Sequence, residues 1–254
     1  MNCNFILVLV FAGILCCAAQ SDDTISGLYP QNDHFKLSLV WPNSYCVAEI
    51  SKCRSPLPQL FTIKAFWAEL HDGRKLINCR TYSPPLTEAM ISRHTDDLQE
   101  YWPDLSTLNY QDMVMMWKNT WAVYGTCASN VLSSEDYVRN TIAVRQSHNL
   151  YNMLKESGIV PNGRTYSADR ILNALQRKTG TYVDIVCSMD RKGTIYLSEI
   201  HQCLDSTAKK FIDCENKAIH CYGDPVFPNK DYSEPMKVRN ATTTLEKQVT
   251  ETHA

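Results

Sequence analysis

The spacing of hydrophobic and polar positions changes several times along the chain. Phe35, Leu37 and Leu39 alternate with Lys36 and Ser38 up to Val40, a two-residue period that predicts a strand ended by Trp41-Pro42. Residues 60–67, rich in aromatic and β-branched side chains, predict a second strand. Residues 86–93 and 95–101 read as short helices leading to Trp102-Pro103. Over residues 111–123, Met113, Met116, Trp117 and Thr120 recur at three- and four-residue steps, as on a helix with one apolar face. Ser133-Ser134-Glu135-Asp136 carries a Ser-x-x-acid start signal for one long helix to residue 157, with Gly158 and Pro161 as stops. Ser167 caps a further helix to residue 178, striped by Ile171, Leu172 and Leu175. Residues 182–189, 194–204 and 211–214 return to strand patterns. Strands, then helices, then strands predict an α+β fold rather than a βαβ repeat.

The two ends of the chain differ from its middle. The first nineteen residues hold no Lys, Arg, Asp or Glu, and an apolar run over residues 5–15 leads into Cys16-Cys17-Ala18-Ala19. That pattern predicts a signal peptide over 1–19, too short to span a bilayer, and no later segment is apolar enough to do so. Residues 20–228 are expected to form one domain. Residues 229–254 carry few large apolar side chains and read as a flexible polar tail, which holds the only N-glycosylation sequon, Asn240-Ala241-Thr242.

Of eleven cysteines, three (Cys3, Cys16, Cys17) fall in the expected signal peptide. The remaining even number behind a secretory signal predicts disulfides in an oxidising, extracellular or vacuolar compartment, and sequence alone leaves the pairing open. No C-x-x-C pair or His-x-x-x-His spacing supports a metal site, and no cofactor is expected. The apolar fraction of 44% is ordinary for a globular chain. The formal net charge of −2 excludes a global positive field, so a nucleic-acid partner would need a local patch.

Residues 61–67 read Phe-Thr-Ile-Lys-Ala-Phe-Trp, and residues 117–127 read Trp-Lys-Asn-Thr-Trp-Ala-Val-Tyr-Gly-Thr-Cys. With Leu39-Val40-Trp41-Pro42, Tyr101-Trp102-Pro103-Asp104-Leu105, Cys203-Leu204-Asp205 and Ile212-Asp213-Cys214, they resemble the ribonuclease T2 family over residues 33–228. The likeness is to its plant branch, the self-incompatibility ribonucleases of flower styles and their S-like relatives. It implies a single domain with a central antiparallel sheet packed by helices. It also implies four disulfides, Cys46–Cys53, Cys79–Cys127, Cys187–Cys221 and Cys203–Cys214. The family cuts RNA without metal: one histidine deprotonates the ribose 2′-hydroxyl, a second protonates the leaving oxygen, and a 2′,3′-cyclic phosphate results.

The two family segments usually read F-T-I-H-G-L-W-P and W-x-H-E-W-x-K-H-G-T-C. Where they carry histidine, glutamate and lysine, this chain has Lys64, Asn119, Thr120, Val123 and Tyr124. Ordinary lysine and tyrosine side chains, with pKa values near ~10, are poor proton carriers at neutral pH. No catalytic set is intact, so the resemblance predicts a non-catalytic, monomeric secreted protein that stores nitrogen or binds RNA, nucleotides or a protein partner. The RNA-binding candidates are Lys64, Phe66, Trp67 and Tyr124, since stacking and phosphate attraction need no proton transfer. The competing expectation is an active endoribonuclease with an altered acid–base set, such as Lys64 with His71.

Overall fold

The structure, a computed structural model, describes residues 32–48, 52–79, 83–214 and 219–229. The expected signal peptide, the tail from residue 230, Asn240 and Cys3, Cys16 and Cys17 lie outside the described residues.

Strand β1 (His34–Val40) runs antiparallel between β2 (Thr62–Glu69) and β5 (Ile195–Asp205), and β4 (Asp184–Met189) pairs antiparallel with the far side of β5. Four two-residue strands complete the sheet: β3 (Arg164–Thr165), β6 (Phe211–Ile212), β7 (Ile219–His220) and β8 (Val226–Phe227). Of these, β7 joins β4 and β8 joins β5 in parallel, while β6 pairs antiparallel with β5 and β3 with β8. The predicted α+β architecture with a central antiparallel sheet is therefore present.

One face of the sheet is apolar and is covered by helices. Phe35, Leu37, Leu39, Ile63, Phe66, Ala68, Ile200 and Leu204 join one core with side chains from α3 (Thr95–Tyr101), α4 (Tyr110–Val123), α5 (Ser134–Ser147), α6 (Leu150–Glu156) and α7 (Ala168–Thr179). Two short helices, α1 (Pro42–Ala48) and α2 (Glu88–Ser92), flank it. Asn109 opens α4 by accepting the Gln111 and Asp112 amides, and Ser167 opens α7 by accepting the Arg170 amide. Met113, Val114, Trp117 and Trp121 are the buried stripe of α4, so its apolar face is rotated slightly from the one the sequence predicts.

The single helix expected to run to residue 157 is two helices. At His148 the backbone turns extended (φ −126°, ψ 106°), and Asn149 caps α6 by accepting the Asn152 amide at 3.1 Å. The His148 ring stacks on Phe211 at 4.2 Å and its Nδ1 lies 2.6 Å from Gln202 Nε2, while its carbonyl accepts from Arg145. These contacts tie the break to the sheet, and no periodicity on the helix itself signals them.

All four disulfides are formed as the resemblance implies: Cys46–Cys53, Cys79–Cys127, Cys187–Cys221 and Cys203–Cys214. After α4 the chain turns through Gly125, where a Cβ would sit 2.0 Å from the Trp121 ring, and Cys127 then bonds to Cys79. The Gly-Thr-Cys of the second segment is thus required by packing, whatever chemistry surrounds it.

Phe66 corrects one sequence expectation. It is fully buried, stacks on Phe35 at 5.2 Å, and its carbonyl accepts the Tyr137 hydroxyl, so it belongs to the core and cannot meet RNA. Phe66→Ala is expected to destabilise the protein by about 3–5 kcal/mol in chemical denaturation, the usual range for a buried aromatic. A loss below about 1 kcal/mol would return Phe66 to the surface.

Candidate functional site

The opposite face of the sheet is polar, yet it is also buried. The pleat points His34, Lys36 and Ser38 of β1 away from the helices, beside Glu199, His201 and Cys203 of β5 and Asp184 of β4. On β2 the register shifts: Ser38 pairs with Ala65 and Leu39 with Ile63, leaving Lys64 as a bulged extra residue. Because of that bulge Lys64, Ala65, Trp67 and Glu69 all face the polar side, while Ile63 and Phe66 stay in the core.

Apart from His34 and Cys203, these side chains floor a cleft of about 770 Å³, closed on one side by Tyr124 and on another by the loop carrying Asp72, Gly73 and Lys75. Two buried carboxylates organise the floor. Glu199 accepts from Lys64 Nζ at 2.6 Å, from Ser38 Oγ at 2.5 Å and from His201 Nε2 at 2.9 Å. Glu69 accepts from Lys36 Nζ and Trp67 Nε1, each at 2.7 Å, and lies 3.4 Å from His34 Nε2. Lys36 also reaches Asp184 at 3.4 Å. The His201 ring stands edge-on to Trp67, 5.5 Å between centroids, and Tyr124 lies 6.4 Å from Trp67.

The structure divides the residues singled out from the sequence. Lys64, Trp67 and Tyr124 line the main cleft. Asn119, Thr120 and Val123 line a second, shallower cavity of about 470 Å³ along α4, with Tyr124 shared between the two. Among these residues only Lys64 carries a formal charge, and it lines the main cleft. His71 sits beside the cleft without lining it: it is largely exposed and its Nε2 lies 3.5 Å from Asp33. The histidine in the cleft is His201, and neither it nor Glu199, Glu69, Lys36, Asp184 or Lys75 is singled out by the sequence motifs. The alternation Glu199, His201, Cys203 does mark one face of a strand, but only the register with Lys36 and Ser38 makes that face a site.

Burial alone would push the Glu199 carboxyl up, but hydrogen bonds and charge from His201 and Lys64 outweigh it and bring its pKa from 4.5 to about 2. Glu69 behaves alike: burial acts upward, and donation from His34, Lys36 and Trp67 holds it at about 2. Both groups bind protons more weakly in the folded than in the unfolded chain. Their contribution is therefore complete above pH about 4.5 and is lost as pH falls toward about 2. Unfolding free energy measured by urea denaturation is expected to fall over that window. In Glu199→Gln the slope should be shallower, since one of the most strongly depressed carboxylates is gone. An unchanged slope would mean that Glu199 is not so held.

Residues 16–214 match the sequence profile of the ribonuclease T2 family. Ribonuclease 3 of Arabidopsis thaliana is 31% identical over 188 residues, covering 72% of this chain and 82% of that protein. Ribonuclease S-2 of Nicotiana alata is 30% identical over 212 residues, covering 83% and 91%. Among solved structures, a variant of RNase MC1 from bitter gourd seeds, in complex with 5′-GMP, superposes with a TM-score of 0.70 at 26% identity, covering 77% of this chain and 100% of that one. With these matches, the four disulfides and the sheet topology agreeing, the chain belongs to the ribonuclease T2 family, in its plant S-RNase-like branch.

Proposed function

We propose that this protein is a non-catalytic member of its family whose cleft binds a nucleotide or an RNA segment without cleaving it. The observation that carries this reading is the ion pair of Lys64 with buried Glu199 at 2.6 Å. Lys64 occupies the first-segment position where the family has histidine, and here its ammonium is matched by a carboxylate. Across the cleft Tyr124 stands at the second histidine position, and Asn119, Thr120 and Val123 bring no charge to the phosphate. Cleavage needs a base at the 2′-hydroxyl and an acid at the leaving oxygen in the same step, each worth roughly 10²–10⁴ in rate. His201 supplies one imidazole, and its Nε2 is already directed to Glu199.

Binding is supported by the polar, aromatic-walled cleft and by relatives such as RNase MC1, whose structures include complexes with 5′-GMP and 5′-UMP. Four disulfides support residence in the oxidising secretory route, outside the cell or in the vacuole. A store of nitrogen would be distinguished by high abundance without saturable ligand binding.

A second reading, an endoribonuclease with an altered acid–base set, is favoured only by the presence of His201 in the cleft. Purified protein is expected to release no 2′,3′-cyclic phosphate from RNA at any pH from acidic to neutral. Lys64→His/Tyr124→His is the matched variant for asking whether the frame still accepts the chemistry. Activity in the parent that survives repurification and disappears in His201→Ala would contradict the proposal and establish the second reading.

A further inference from the structure

Three lysines line the main cleft, and they are held in two different ways. Lys36 and Lys64 are tied to carboxylates, 2.7 Å from Glu69 and 2.6 Å from Glu199. Lys75 is held by rings instead: its Nζ lies 3.6 Å from the centroid of Trp67 and 5.3 Å from that of Tyr124. Among the described residues, no carboxylate forms an ion pair with it. The distinction is chemical. A carboxylate cancels the charge it holds, whereas an aromatic face positions an ammonium through its quadrupole and leaves the formal charge for another partner.

The platform under Lys75 is rigid. Trp67 donates its Nε1–H to Glu69 at 2.7 Å, and His201 abuts the same ring. Gly73, at φ 82°, turns the loop that brings Lys75 back, and the Lys75 backbone bridges to Glu69 at the sheet edge. The lining acids are matched elsewhere: Glu69 and Asp184 by Lys36, Glu199 by Lys64, and Asp72 by Arg74 at 2.6 Å. Burial pulls the Lys75 pKa down, and the more distant charges of Glu199 and Glu69 oppose that pull. Partial desolvation of this kind strengthens a contact made by the ammonium to an anion.

We infer that Lys75, rather than Lys64, is the phosphate anchor of this cleft. It would take the phosphate of a 5′-mononucleotide on the side of its ammonium that faces away from Trp67. The inference rests on the nucleotide-binding reading above and names the ligand class, a phosphate monoester. It also changes the role of Trp67: with its face under Lys75, the ring is a platform for a cation and not for a base.

The test is calorimetric titration of the full chain at low salt with three probes, 5′-GMP, guanosine and inorganic phosphate, repeated on Lys75→Ala and Lys75→Arg. Thermal melts check that both variants remain folded. Lys75→Ala should weaken 5′-GMP and phosphate about tenfold while leaving guanosine unchanged. Lys75→Arg should stay within about threefold of the parent. If the parent binds 5′-GMP and Lys75→Ala binds it equally well, the anchor is wrong and the nucleotide-binding reading stands. Tighter binding by Lys75→Ala would also overturn the anchor, since the lysine would then be covering a stacking face. If the parent binds none of the probes, the nucleotide-binding reading falls, and the anchor with it.

Discussion

Taking a carboxylate out of water costs several kcal/mol unless cations and hydrogen-bond donors surround it, and the sheet of this protein buries three of them on one face: Glu69, Asp184 and Glu199. Everything else on that face is arranged around this cost. Lys36 lies between Glu69 and Asp184, Trp67 turns its indole N–H to Glu69, and Lys64, Ser38 and His201 converge on Glu199. Removing Lys36 or Lys64 would leave a buried carboxylate without its lysine, which is the expensive case. The β2 bulge belongs to the same arrangement, because it turns Lys64 toward Glu199 while keeping Ile63 and Phe66 in the core.

The persistence of the two signature segments follows from packing. Trp117 donates its indole N–H to the Trp102 carbonyl at 2.8 Å, Trp121 packs edge-on against Tyr137, and Gly125 has no room for a side chain. Cys127 bonds to Cys79, and Phe61 and Phe66 are wholly buried. These residues hold β2 to the end of α4, so replacing them would loosen the domain. Asn119, Thr120, Val123 and Tyr124 lie on cavity surfaces, where substitution changes the chemistry at small cost in stability.

Much of the fold was legible because it is written in local period. Alternation marks β1 and β5, three- and four-residue spacing marks α4 and α7, and Ser133 and Ser167 mark the caps of α5 and α7. Less was legible where tertiary contacts decide. The two-residue strands β3, β7 and β8 are too short to carry a period. The break at His148 is set by Gln202 and Phe211 on the sheet. A regular two-residue period puts Lys64 and Phe66 on one face, and the bulge that separates them appears only once β2 is paired with β1. The floor of the site stayed hidden for the same reason, since Lys36, Glu69 and Glu199 come from three strands and meet through register alone.

The central claim is that Lys64 is a matched, immobilised charge and not a free cation at the family's catalytic position. Nitrogen-15 NMR of the lysine ammonium groups tests it most directly, in the parent and in Glu199→Gln. The predicted result is a Lys64 ammonium whose protons exchange slowly enough to be seen in the parent, with the signal lost when Glu199 can no longer hold it. A Lys64 ammonium that exchanges as fast as a solvated lysine in the parent, and is unmoved in Glu199→Gln, would contradict it.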